Sequence, residues 1–172
     1  MPEVEEEDLE AVVQAVLRDE DGYAPPAELV NEPAPPLSKN LAAEIAAMKM
    51  GKKLKLALRG NREVRGILVR EHSPMILRLL IQNPRLTEEE VIAIAKSRTV
   101  DAEILASVSK RNEWIRNYQV RLALVTNPKT PLGVAMRFVA SLLDRDIRLL
   151  AKSRNVSGGV VSAARRIVDG RR

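Results

Sequence analysis

One histidine, His72, and no cysteine set the limits on what these side chains can do as acids, bases, nucleophiles or metal ligands. The absence of cysteine removes disulfides, thiolate metal sites and cysteine nucleophiles. A single imidazole offers no pair to hold a metal. His72 stands in REHSPM, a turn context in which the residue is expected to be structural or solvated rather than catalytic. Glu88-Glu89-Glu90 forms a carboxylate run, but it falls in the first turn of an expected helix, where the positive end of the dipole stabilises acids without any ion. Ser157-Gly158-Gly159 lacks both a preceding strand and the Gly-x-x-x-x-Gly-Lys pattern of a phosphate-cradling loop, so its glycines are expected to serve close helix packing. No catalytic residue, cofactor or metal is assigned, and a non-enzymatic role is expected.

The basic residues are more informative. Arg85, Lys96, Arg98, Lys110, Arg111, Lys129, Lys152 and Arg154 lie at or beside expected inter-helix turns, and Arg116 adjoins Trp114 and Tyr118. Stacked turns would align many of these cations along one edge, and such a row binds anions. Two ordinary explanations compete: cations near helix C-termini complement the dipole, worth roughly 0.3–1 kcal/mol each, and a basic surface solubilises. Beyond those, an acidic segment of a protein partner, or the chain's own acidic arm, is preferred over nucleic acid. The base-stacking aromatics are scarce, since Trp114, Tyr118, Tyr23 and Phe138 are the whole aromatic set. Backbone-only binding to duplex DNA needs none of them and stays open as the alternative.

The charge is sharply divided. Residues 1–37 hold 11 acidic groups against one basic group, Arg18, whereas the remainder holds 27 basic against 12 acidic. Within the acidic part, Leu9, Val12, Val13, Val16 and Leu17 follow helical spacing and make one apolar stripe, a candidate docking arm over 1–20. Residues 21–37 carry five prolines and read as a flexible linker to a helical-repeat domain over 38–172. The opening MPEVEEEDLE lacks the basic start and apolar core of an export signal, and no 18-residue apolar run occurs. A cytoplasmic protein without membrane association is expected. GKKLKLALRGNREVRGILVR could also be a basic membrane-surface helix, but Gly60-Asn61 interrupts it, and a first repeat unit is preferred.

The elements that must position the cations are short. A helix is expected after Ser38, ending before Gly51, with further breaks near residues 60, 72, 83, 98, 111, 128, 143 and 155. Thr87 with Glu90 makes a capping box; Asp101, Asn112, Thr130 followed by Pro131, and Ser157 are the other expected N-caps. Helices of two to four turns are marginal alone and need neighbours. AKSR occurs at 95–98 and again at 151–154, and the same 56-residue offset superposes Val100 on Val156 and Asp101 on Ser157. Two units of about 28 residues account for it. A second echo, LLIQNPRLT at 79–87 and ALVTNPKTP at 123–131, is offset by 44 residues.

At VRLALVTNPKTPLGVAMRFVA, and again at IRLLAKSRNVSGGVVSAA, the chain resembles the leucine-rich-repeat-variant type of helical repeat and, more loosely, HEAT-like repeats. In texture it is also similar to small bacterial helical-repeat proteins of unassigned activity. The resemblance covers roughly residues 60–169 and implies an all-α, right-handed α-solenoid of short helix pairs that serves as a binding surface. Variant-repeat proteins with an iron–sulfur cluster supply cysteines outside the repeats; this chain has none, and no cluster is carried over. The expected function is a scaffold or adaptor whose basic face receives an acidic partner segment.

Overall fold

The computed structural model describes residues 11, 14–16, 18, 23–32, 40–71 and 73–170, and among these all regular structure is helical. Leu9, Val12, Val13, Leu17, Ser38 and His72 lie outside the described residues; Val16 is helical and half-buried. The chain divides into two compact units, 1–86 and 87–172.

The first unit contains α1 (Ala27–Val30), α2 (Leu41–Ala47), α3 (Met50–Arg59), α4 (Arg62–Arg70) and α5 (Pro74–Leu80). The expected stop before Gly51 falls earlier: the chain extends at Met48 and Lys49, and Gly51 lies inside α3. One glycine near a helix start costs about 1 kcal/mol of propensity, which the buried face of α3, with Leu54, Leu56, Ala57 and Leu58, outweighs. The break at Gly60-Asn61 is as expected. A Cβ on Gly60 would collide with the Leu56 carbonyl and lie 2.8 Å from Val64 Cγ1, so only glycine permits this close turn. Asn61 then caps α4, its Oδ1 accepting from Val64 N–H at 3.2 Å. Helix α3 packs against α1, α4 and α5.

Residues 23–32, expected within a flexible linker, are instead held against this unit. Asn61 donates its backbone N–H to Leu29 O at 2.9 Å and its Nδ2 to Glu28 O at 2.9 Å. Lys55 Nζ donates to Tyr23 O at 2.8 Å, and Arg65 Nη1 reaches Glu32 Oε1 at 2.9 Å. Leu29 is buried. Pro25 and Pro26 prevent a long helix, but they leave carbonyls free to accept, and buried donors of the unit use them.

The second unit contains α6 (Glu88–Lys96), α7 (Ala102–Lys110), α8 (Asn112–Ile115), α9 (Tyr118–Thr126), α10 (Leu132–Val139), α11 (Asp144–Leu150) and α12 (Gly158–Gly170). Helix α6 packs on α7 and α9, α9 on α8 and α10, and α12 on both α10 and α11. Val91, Ile94, Leu105, Val120, Leu124, Val139, Ile147 and Val160 are buried in it. The 56-residue offset relates α6 to α11 and α7 to α12 by their first residues, with α9 and α10 between them; the steps are 30 and 26 residues rather than two of 28.

The caps follow expectation in part. Thr87 and Glu90 form both arms of the capping box. Asp101 occupies the N-cap of α7 with no side-chain hydrogen bond there; its exposed carboxylate contributes charge at the helix's positive end. Asn112 lies inside α8, and Asn117 caps the following helix instead, Oδ1 accepting from Gln119 N–H at 2.8 Å. Arg121 braces that break by donating to Ile115 O at 2.7 Å and Arg116 O at 2.9 Å. Thr130 donates its N–H to Asn127 O, which closes a turn and moves the α10 N-cap to Pro131. Of the two glycines expected to serve close packing, Gly159 does so, because a Cβ there would lie 2.7 Å from Leu132 Cδ1, whereas Gly158 is exposed with open space beside it.

Candidate functional site

Four turns share one local device. Asn83 Oδ1 accepts from Arg85 N–H at 2.9 Å, and Asn127 Oδ1 from Lys129 N–H at 3.0 Å. Ser97 Oγ accepts from Thr99 N–H at 3.4 Å, and Ser153 Oγ from Asn155 N–H at 3.2 Å. Each is a side chain bonding its own backbone two residues on, which fixes the chain's exit from the helix. Asparagine and serine differ in what remains. The carboxamide keeps an NH₂ to donate elsewhere, whereas the serine hydroxyl is short and has a single proton.

Asparagine spends that NH₂ across helices. Asn127 Nδ2 donates to Ala95 O at 2.7 Å and Ser97 O at 2.9 Å, tying the end of α9 to the end of α6. In the first unit Asn83 Nδ2 donates to Ala57 O at 2.9 Å, near the end of α3. All three ladder asparagines, Asn61 included, are buried. Ser97, Asn127 and Ser153 each lie nine residues beyond the start of their helices, α6, α9 and α11. Between α9 and α11 the position of the tie is therefore held by Ser153, whose hydroxyl is engaged only within its own turn.

An open cleft of about 370 Å³ lies there. Leu122, Ala123, Pro128, Leu149, Leu150 and Val156 give it apolar walls; Thr126, Asn127, Ser153, Asn155 and Asp146 give it polar ones; Lys96 and Arg98 stand at its edge. Both cations are exposed and have no ion-pair partner among the described residues. Asp146 is buried, and its carboxylate accepts from the Tyr118 hydroxyl while Arg145 Nε lies 3.6 Å away. Tyr118 also accepts from Leu143 N–H at 3.2 Å. Burial first, and then its bond to Asp146, push the Tyr118 phenol above its ordinary value.

Of the basic residues expected to form a row, the structure brings Lys96 and Arg98 to this cleft. Lys129 is exposed and donates to Thr99 O at 3.3 Å, beside Arg98 in sequence. Arg154 is exposed in the turn whose Ser153 and Asn155 line the cleft. Lys152 lines a separate hollow of about 350 Å³ between α11 and α12, with Asp144, Arg148 and Ile167. Arg111 lies over the Trp114 ring, 4.6 Å from its centre, and 3.7 Å from Glu113, so it serves the α7–α8 junction. Lys110 ends α7 and Arg116 stands in the break after α8, both exposed. Arg85 belongs to the first unit, where Nη1 donates to Val30 O at 2.7 Å. Trp114 is buried, while Tyr118 is half-buried in a different helix.

Asn127, Ser153, Asp146 and Leu149 were not among the sequence candidates. The contrast between Asn-Pro at 127–128 and Ser-Arg at 153–154, in the same place after a helix, is a readable sign of the missing tie. Nothing in the sequence pairs Asp146 with Tyr118, 28 residues away.

No group of three or more potential metal ligands occurs among the described residues, and no described helix is long and apolar enough to cross a membrane. Comparison with known proteins finds no matching family model, no matching curated protein and no matching solved structure.

Proposed function

We propose that this chain is a non-catalytic adaptor in which the helix pairs of the second unit stack as a right-handed α-solenoid and the cationic turns receive an acidic segment of a protein partner. The kinship with leucine-rich-repeat-variant and HEAT-like repeats belongs to this reading. It draws on the helix pairs α6–α7, α9–α10 and α11–α12, which recur with a turn of one chemistry after the first helix of each. The observation that carries the binding role is the pair Lys96 and Arg98, exposed and unmatched by any carboxylate among the described residues, at the edge of a cleft with apolar walls.

Duplex backbone offers phosphate but nothing for those walls, whereas a peptide offers carboxylates and apolar side chains together. The probe is a terminally blocked hexapeptide, EEEDLE, the sequence of residues 5–10, which also represents the chain's own acidic arm as a ligand. Titration followed by backbone NMR is expected to move the amide signals of 96–99 and 153–156. The double reversal Lys96→Glu and Arg98→Glu is expected to weaken binding about tenfold, equivalent to about 1.4 kcal/mol of lost charge pairing. A random duplex DNA that binds more tightly than the peptide at about 0.15 M salt would replace this reading with the nucleic-acid one.

A further inference from the structure

We infer that the cleft at Ser153 is a specific seat for a peptide that lays one leucine-sized side chain between flanking carboxylates and supplies, through its own N–H groups, the donors that an asparagine supplies elsewhere in the fold. This deepens the adaptor reading and rests on it. Three observations converge.

The first is the interrupted ladder. Asn127 delivers an NH₂ to the carbonyls of Ala95 and Ser97 at the end of α6. Thirty residues on, Val125 and Asn127 hold the corresponding places at the end of α9; Asn127 O accepts from Thr130 N–H at 3.1 Å within its own turn, and Ser153 has no second donor to send across to either carbonyl. Helix C-terminal carbonyls seek donors from side chains, water or ligands, and here the end of α9 forms one side of the cleft through Thr126 and Asn127. An extended peptide carries an N–H at every residue and fits that need; a phosphate ester, which has only acceptors, does not.

The second is the exposed leucine. Leu149 is 68 % exposed, more than any other large apolar residue among those described, and it stands on the wall of this cleft with the buried Leu150. Folding leaves it in water, and a side chain seated against it and Leu122 would cover it. The volume of about 370 Å³ lies at the lower end of ligand-binding cavities, which suits one side chain and a short run of backbone.

The third is charge. Lys96 and Arg98 have no acid of the described residues to pair with, whereas the one carboxylate in the cleft, Asp146, is already engaged by Tyr118 and Arg145. The vacancy is for incoming carboxylates. The ligand class is thus acid–leucine–acid in an extended conformation.

The test is Ser153→Asn in the full chain, with EEEDLE and its serine-for-leucine analogue as probes. Asparagine at 153 would reach the end of α9 as Asn127 reaches the end of α6, filling the seat while leaving Lys96 and Arg98 untouched. The expected result is a thermal midpoint no lower than that of the parent and about tenfold weaker binding of EEEDLE. The serine analogue should bind the parent about as weakly as EEEDLE binds the variant. Leu149→Ser, an exchange at an exposed position that the fold tolerates, should also weaken EEEDLE and leave the analogue unchanged, and it decides the matter if Ser153→Asn does not fold. Unchanged affinity in both variants, with loss only in the Lys96→Glu, Arg98→Glu protein, would overturn the seat and leave the basic edge standing. Indifference to all three proteins, or no binding at all, would overturn both.

Discussion

In the first unit neighbouring segments are joined through buried polar groups, and in the second, one pair of helix ends is joined in this way and the next pair is not. Arg65 is 0 % exposed and connects α4 to Glu32 and to Gly60 O, while Asn61 and Asn83 tie three stretches of chain together. The second unit has Asn127 tying the end of α9 to the end of α6, whereas Ser153 at the end of α11 bonds only within its own turn, and there a cleft opens. A buried donor that reaches two carbonyls closes the gap between helix ends, because leaving those groups unpaired and dry is costly. Where the donor is too short, the helix ends are left unjoined and their polar groups line the cleft, while the Tyr118–Asp146 bond joins α9 to α11 nearer their starts. The open cleft of the second unit therefore lies where one helix-end hydrogen bond has been left out.

Arg65→Ala is the most severe way to break that comparison. It empties the space of a wholly buried side chain, leaves Gly60 O only the 3.5 Å donation from Asn83 and returns the exposed Glu32 carboxylate to water, with an expected loss of about 3 kcal/mol in urea unfolding. Residues 23–32 should then become susceptible to protease under native conditions. Resistance equal to the parent's would mean that Asn61 and Lys55 suffice to hold the segment. Asn127→Ala comes next. It leaves Ala95 O and Ser97 O without their donor and should cost about 1–3 kcal/mol, against a much smaller effect of Ser153→Ala. Equal costs would erase the distinction between the two joins.

The smallest effect concerns Tyr118, which sharpens the account of the unbridged side. Its folded-state pKa is raised above the ordinary 10.0, by burial first and then by the bond to Asp146. Between 10.0 and the raised value the folded chain keeps a proton that the unfolded chain has lost. The contribution to stability is whole below pH 10.0 and disappears as pH rises through the folded-state value. Alkaline unfolding monitored by helix circular dichroism should therefore show a decline above pH 10 that is shallower in Tyr118→Phe. An identical slope in the two proteins would show that the phenol does not titrate differently on folding.

Much of the helix pattern was legible because its causes are local. Thr87 and Glu90 are three residues apart and close their box wherever the chain is helical; Gly60 and Pro74 mark breaks by their own stereochemistry. The 44-residue echo marks the two Asn-Pro turns that share both an intraturn bond and a cross-helix donation. Errors arose where two local signals competed: Asn112 and Asn117 are both good caps, and the brace from Arg121 to residues 115 and 116 goes with the second. Proline content argued for a loose linker at 21–37, because composition reports what a segment cannot do alone and is silent on the donors waiting in Lys55, Asn61 and Arg65.

Helical class, short elements, their approximate breaks and the division of charge are consequences of propensity, capping and periodicity, which act over a few residues and need no partner. The choice among nine turn-proximal cations was of another kind. Arg85, Lys96, Arg98, Lys110, Arg111, Arg116, Lys129, Lys152 and Arg154 look alike in sequence, and only packing decides that Arg85 holds Val30 O, Arg111 covers Trp114, and Lys96 and Arg98 border an open cleft. The cleft itself depends on a serine standing where, one step earlier, an asparagine reaches 32 residues back to Ala95. A contact across that distance exists only once both helix ends have been brought together, so its presence at one join and absence at the next belong to the tertiary structure.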